Sequence, residues 1–158
     1  MKRTLSIISL FSILLTACVG DPGPPGFDGQ DGKVADVISV SNVNFNSPNF
    51  DVIVNFDQIY SDEVLLVYRL WDNNTWRLLP QTIIFDDGSN LVYNYDFTQN
   101  DVSIFLESSS DLNTLGNEHT QNQEFRVVIV PASQVNGVDT TDLNTVINLG
   151  NIESFELR

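Results

Sequence analysis

The sequence predicts an all-β fold for residues 35–158, an antiparallel β-sandwich with an Ig-like or jelly-roll-like meander, and three observations predict it. Apolar and polar residues alternate at a period of two through most of this stretch. No segment sustains an apolar period near 3.6, and turn-forming residues fall between the alternating runs. Antiparallel sheets that bury one face and wet the other produce this pattern. The roughly 124 residues involved are enough for one sizeable core.

Taken in order, residues 34–45 change apolar phase, from Ile38 and Val40 to Val43 and Phe45, so a bulge or break is expected near Ser41-Asn42. Phe50, Val52, Val54 and Phe56 alternate with Asn49, Asp51, Asn55 and Asp57, spoiled only by Ile53. Residues 64–71 should turn at Asn73-Asn74 into residues 75–79. Asp86-Asp87-Gly88 suits a three-residue loop with Gly in the left-handed slot, which sets Ile83 against Leu91. Gln99-Asn100 suits a two-residue hairpin loop that sets Phe97, Tyr95 and Tyr93 against Val102, Ile104 and Leu106. These three hairpins are expected to chain into one meander over residues 63–107. The nearly continuous apolar run from Phe125 to Val130, stopped by Pro131, reads as a central strand. Asp139 and Asp142 are expected to cap a short helix over residues 143–149, and residues 110–116 to form one helical turn. The tetrapeptide Asp111-Leu112-Asn113-Thr114 recurs at Asp142-Leu143-Asn144-Thr145 and reads as repeated local structure rather than duplication. Residues 152–157 read as a closing strand.

Composition limits function. The chain of 158 residues is 42% hydrophobic and 18% charged, with 21 acids, seven bases, one Cys and one His, for a net charge of −14. Such a charge excludes nucleic-acid binding by phosphate neutralisation. A single Cys excludes a disulfide scaffold, and one Cys with one His excludes most zinc sites.

The N-terminus reads as a secretory signal over residues 1–17. Lys2 and Arg3 precede residues 5–15, of which eight of eleven are large and apolar. That run is about half the ~20 residues that span a bilayer. Leu15-Thr16-Ala17-Cys18 then resembles the lipobox of bacterial lipoproteins. The resemblance implies cleavage before Cys18, a diacylglyceryl group on its thiol and acylation of the new amine. An unpaired thiol is unwelcome in an oxidising compartment, and here the only Cys lies where lipidation consumes it. Two or more acyl chains, at roughly 0.8 kcal/mol per buried CH₂, make a firm anchor. Without Lys2 and Arg3 the chain keeps five bases against 21 acids, a net −16 that repels anionic headgroups.

Residues 18–34 read as a tether. Gly20, Gly23, Gly26, Gly29 and Gly32 fall at a period of three with three prolines between them. This is the collagen repeat, in which only Gly fits at the axis of three polyproline-II chains. It resembles the short collagen-like segments that follow the lipidated Cys in many small lipoproteins of two-membrane bacteria. Five triplets span roughly 45 Å whether the segment is a monomeric spacer or the stalk of a homotrimer. The resemblance implies a cell-envelope address, with Val19 after the Cys compatible with the outer membrane, and no catalytic residue.

Chemistry-bearing residues in the head are sparse. His119 lies in a polar stretch and is expected to be solvated, and no Gly-x-Ser-x-Gly elbow accompanies it. Asp62-Glu63 and Asp86-Asp87 occupy turn positions, where acids are common. Asp86 and Asp87 have the composition of a weak calcium loop without EF-hand spacing; no other cofactor is expected. Trp71 and Trp76 flank the Asn73-Asn74 turn and are expected to face each other, either closing the core or forming a recognition platform with Arg69 and Arg77. The expectation is a non-enzymatic envelope lipoprotein whose head binds an envelope protein or a glycan. The competing expectation is a ligand-binding β-barrel or small hydrolase on the same tether, and a deep polar cavity would distinguish it.

Overall fold

The computed structural model describes residues 35–72 and 74–149, together with the backbone of residues 156–157. The chain divides into two units, Met1–Asp31 and Gly32–Arg158, and all described residues belong to the second. The expected signal, Cys18 and the five glycines of the expected tether lie outside the described residues.

The fold is an all-β sandwich of two sheets. In the first, β4 (Thr75–Leu78), β3 (Glu63–Asp72), β8 (Gln123–Pro131) and β1 (Asp36–Val43) lie side by side and antiparallel, and the two-residue β9 (Glu156–Leu157) adds in parallel to β1. In the second, the order is β2 (Asp51–Asn55), β7 (Asp101–Ser108), β6 (Asn90–Phe97) and β5 (Gln81–Ile84), again antiparallel. Short helices occupy the connections: a 3-10 turn Leu112–Thr114, α1 (Asn117–Thr120), α2 (Ala132–Val135) and α3 (Leu143–Leu149).

The main core fills the space between the sheets. Ile38, Val67, Phe125 and Val127 of the first sheet meet Leu91, Tyr93, Val102 and Ile104 of the second. Phe45 is 1% exposed and meets Tyr93 and Phe125 edge to face, with ring centres 6.2 and 6.0 Å away. The outer face of the first sheet carries a second core, where Val37, Leu66, Tyr68, Val128 and Val130 pack under Leu143 and Val146 of α3. Strands β3 and β8 are therefore covered on both faces, which accounts for their continuous apolar sequence.

Local chemistry sets the registers. Tyr95 pairs with Ile104, Phe97 with Val102 and Ile83 with Leu91, as the two loop lengths require. Gly88 takes φ +84°, and the Phe85 N–H donates to the Ser89 carbonyl to close the loop. The expected irregularity in β1 falls between Val40 and Val43, with Asn42 at φ +58°. Pro131 ends β8. Asp142 caps α3 by accepting from the Asn144 N–H at 3.0 Å, while Asp139 accepts from Thr141 in a turn of its own.

Two expectations are corrected. The three hairpins form but do not make one meander, because β4 pairs with β3 and β5 with β6 in the opposite sheet. The chain changes sheet at Leu79-Pro80: the Leu79 N–H donates to the Val67 carbonyl, and Pro80, having no N–H, cannot extend that ladder. Phe50 precedes the strand instead of opening it. Its φ is +53° and its ring is buried, while its N–H donates to Asn46 and its carbonyl accepts from Leu106. An aromatic residue is strained in that region, and here burial and two backbone hydrogen bonds hold it.

Candidate functional site

Arg69 is the sixth side chain in an apolar stretch that starts at Val64, so alternation along β3 points it between the sheets. It is only 5% exposed. Its Nε and Nη2 donate to Oε1 of Gln123 at the start of β8, and its Nη1 donates to Oε1 of Gln81 at the start of β5. Its Cζ lies 3.9 Å from the centre of the Tyr93 ring. The Gln123 amide is fully used, since its Nε2 donates to the carbonyls of Glu118 and Gln121. Burial pulls the Arg69 guanidinium below its ordinary value; the Tyr93 phenol opposes that pull and Arg77 adds to it. The cation thus joins the two sheets through neutral carbonyls and an aromatic face.

Trp71, two residues on, keeps the face of Arg69 by alternation, and a bulge there parts it from Trp76. Leu70 pairs with Trp76, and Asp72 pairs with Thr75, so Trp71 is the extra residue between them. Its indole is 40% exposed and takes the Arg77 guanidinium at 4.2 Å and that of Arg69 at 5.6 Å. Tyr93, Arg69, Trp71 and Arg77 form an alternating stack of rings and cations that runs from the core to the surface. Trp76 is not part of it. Opposite Leu70, it lies on the outer face, half-buried against the second core with Arg126 4.2 Å over its ring. The two tryptophans therefore do not face each other, and Arg69 is an interior residue, not a surface one.

The same end of the sandwich receives the β5–β6 loop and the β7–β8 crossover. His119 is not a solvated loop residue: it belongs to α1, its side chain is 22% exposed, and its ring meets Phe85 edge to face at 5.3 Å. The Tyr93 hydroxyl donates to the His119 carbonyl at 2.6 Å and fixes this turn to the second sheet. Burial pushes the Tyr93 phenol up to about 12.

Two cavities open here and meet at Glu118. The larger, about 450 Å³, includes Phe85, Asp86, Asp87, Ser110 and His119 in its walls. The smaller, about 190 Å³, is walled mainly by polar groups, including Arg69, Asn122, Gln123 and Glu124, with Trp71 beside them. Asp87 Oδ1 accepts from the Ser89 hydroxyl at 2.6 Å and its N–H at 2.8 Å, which holds that carboxyl below its ordinary value. Among the described residues no three His, Cys, Asp or Glu side chains gather as metal ligands.

Of the residues singled out from sequence, Arg69, Trp71 and Arg77 come together, Asp86 and Asp87 stand at the adjoining cavity, and Trp76 lies elsewhere. Glu118, Phe85, Gln81 and Gln123 were not singled out. An Arg within an apolar stretch is a usable signal for the two glutamines, because a buried guanidinium requires acceptors. Comparison with protein-family models, with curated proteins and with solved structures gave no match.

Proposed function

We propose that this chain is a cell-envelope lipoprotein, anchored to the outer membrane by acylated Cys18, whose collagen-like tether carries a non-enzymatic binding head. The observation that carries the reading is the placement of the only Cys after Leu15-Thr16-Ala17, followed at once by the glycine period. No helix among the described residues is long and apolar enough to cross a membrane, so an acyl anchor is consistent with the head. The interior between the two sheets is filled with side chains, and the two cavities that meet at Glu118 are clefts at one end of the sandwich. A further cleft of about 460 Å³ lies at the opposite end, beside Tyr60 and Phe97, so open clefts at the ends flank a filled interior, which favours contact at the surface over a ligand enclosed in a barrel.

Replacing Cys18 with Ser tests the anchor. The expected outcome is loss of metabolic palmitate labelling and release from the membrane fraction. A Cys18→Ser chain that stays membrane-bound and labelled overturns the reading.

A further inference from the structure

We infer that the sandwich end bearing Trp71 and His119 is a saccharide-binding surface that takes a short stretch of neutral glycan across the two adjoining cavities. The inference rests on the reading of the head as a binding module and gives that module its ligand class. A pyranose ring carries hydroxyls around its edge and C–H groups on its faces. It therefore requires planar groups that donate and accept in pairs, beside an aromatic wall.

The smaller cavity has that make-up. Asn122, Glu118 and Glu124 supply exposed amide and carboxylate groups, with the exposed part of the Trp71 indole beside them and the buried Arg69–Gln123 pair as the floor. Its 190 Å³ suits a single sugar ring and its polar walls suit no apolar ligand. Across Glu118, the larger cavity repeats the combination with the rings of Phe85 and His119 and the hydroxyls of Ser89, Ser110 and Thr114. Two such units sharing one carboxylate match consecutive sugars of a chain better than one compact ligand.

The supporting groups are already fixed. Arg69 is held by Gln123, Gln81 and Tyr93, the Trp71 ring lies against two guanidinium groups, and α1 is tied by the Tyr93 hydroxyl. Binding on a surface fixed in advance costs little ordering entropy. The charges select against the other candidates. A net −14 with Asp86, Asp87, Glu118 and Glu124 around the two clefts repels anionic polysaccharides, while Arg69 opposes a basic peptide in the smaller cavity.

The full chain purified in detergent is titrated with cellotetraose, maltotetraose, chitotetraose and mannotetraose, followed by tryptophan emission and calorimetry. At least one is expected to bind and to shift the emission. Trp76→Phe, on the opposite face, keeps both the binding and the shift. Trp71→Ala and Glu118→Ala each lower the affinity by about tenfold or more. Glu118 is exposed, so Glu118→Ala serves if Trp71→Ala does not fold. Failure of all four sugars to bind overturns the inference, as does binding that both variants leave unchanged. Preferential binding of polygalacturonate or polylysine overturns it too. None of these outcomes alters palmitate labelling at Cys18, so loss of this inference and loss of the anchored-lipoprotein reading are told apart.

Discussion

The two faces of the first sheet are built from the same strands yet covered in different ways. The inner face meets a whole second sheet, and Phe125, Val127 and Val67 sit there 0–1% exposed. Among the described residues the outer face is covered by α3, with Val135 of α2 beside it, and Leu143 and Val146 pack with Val128, Val130 and Tyr68. A sheet opposite is rigid and wide, whereas a helix of seven residues depends on its cap and on a few contacts. The difference is one of division of labour. The inner face bears the structure and, where it runs out at Arg69 and Trp71, opens the candidate site; the outer face is a smaller and more adjustable cover.

The largest effects should separate the two faces. Phe125→Ala removes a ring that meets Phe45 within the main core and is expected to cost about 3–5 kcal/mol, because a second sheet cannot collapse onto the cavity. Leu143→Ala on the outer face is expected to cost about 2–3 kcal/mol, since the helix can shift toward the gap. Urea midpoints at constant slope measure both. Equal costs would mean that α3 is held as firmly as the sheet.

The tyrosines sharpen the comparison from the other direction. Tyr93 points inward, Tyr68 outward, and burial raises both phenols; Tyr95, Asp142 and Asp139 add to the rise at Tyr68. Tyr95 is raised by burial as well. Their folded-state values lie above the ordinary 10.0, so the folded protein keeps protons that the unfolded chain gives up. Stability should therefore be unaffected by these groups below pH 10 and fall as pH rises from there toward 12. Tyr93 alone is expected to account for about 2 kcal/mol by pH 12. Phenolate absorbance should rise together with unfolding. Titration of these phenols at their ordinary value, with the fold intact, would show the faces to be wetter than the packing implies.

Legibility in the sequence divides along similar lines. Hairpin registers were legible because loop length and alternation act over a few residues: Gln99-Asn100 and Asp86-Asp87-Gly88 each allow one pairing that keeps both apolar faces together. The bulge at Ser41-Asn42 was legible as a change of phase. The jump between sheets at Leu79-Pro80 was not, because each flanking hairpin satisfies its own pattern and only packing decides which sheet it joins. Trp71 and Trp76 were misplaced for a related reason. One added residue reverses the face of everything beyond it, and the composition around Asn73-Asn74 gives no sign of it. The candidate site was only half legible, since Phe85 meets His119, and Arg69 meets Gln81 and Gln123, from strands and turns far apart in sequence. The polar neighbours of His119 say nothing of the ring it packs against.

The smallest effect expected lies in the twin tetrapeptides, one serving each face. Asp111 accepts from the Asn113 N–H at 2.9 Å and Asp142 from the Asn144 N–H at 3.0 Å, so the two start alike. Their continuations differ. After Asp142, apolar residues at 143, 146 and 147 lie on one side and the chain continues as α3 against the outer core. After Asp111, only Leu112 and Leu115 reach the inner core before Gly116, and the chain stops after a 3-10 turn. Asp142→Ala is therefore expected to lower stability by about 1 kcal/mol, the ordinary value of an N-cap, because a helix and the outer core depend on it. Asp111→Ala should fall below that, since the second sheet holds the inner core with or without the turn. Urea midpoints for the two variants decide the point. If Asp111→Ala costs as much as Asp142→Ala, the cap itself sets the energy and the face it serves does not.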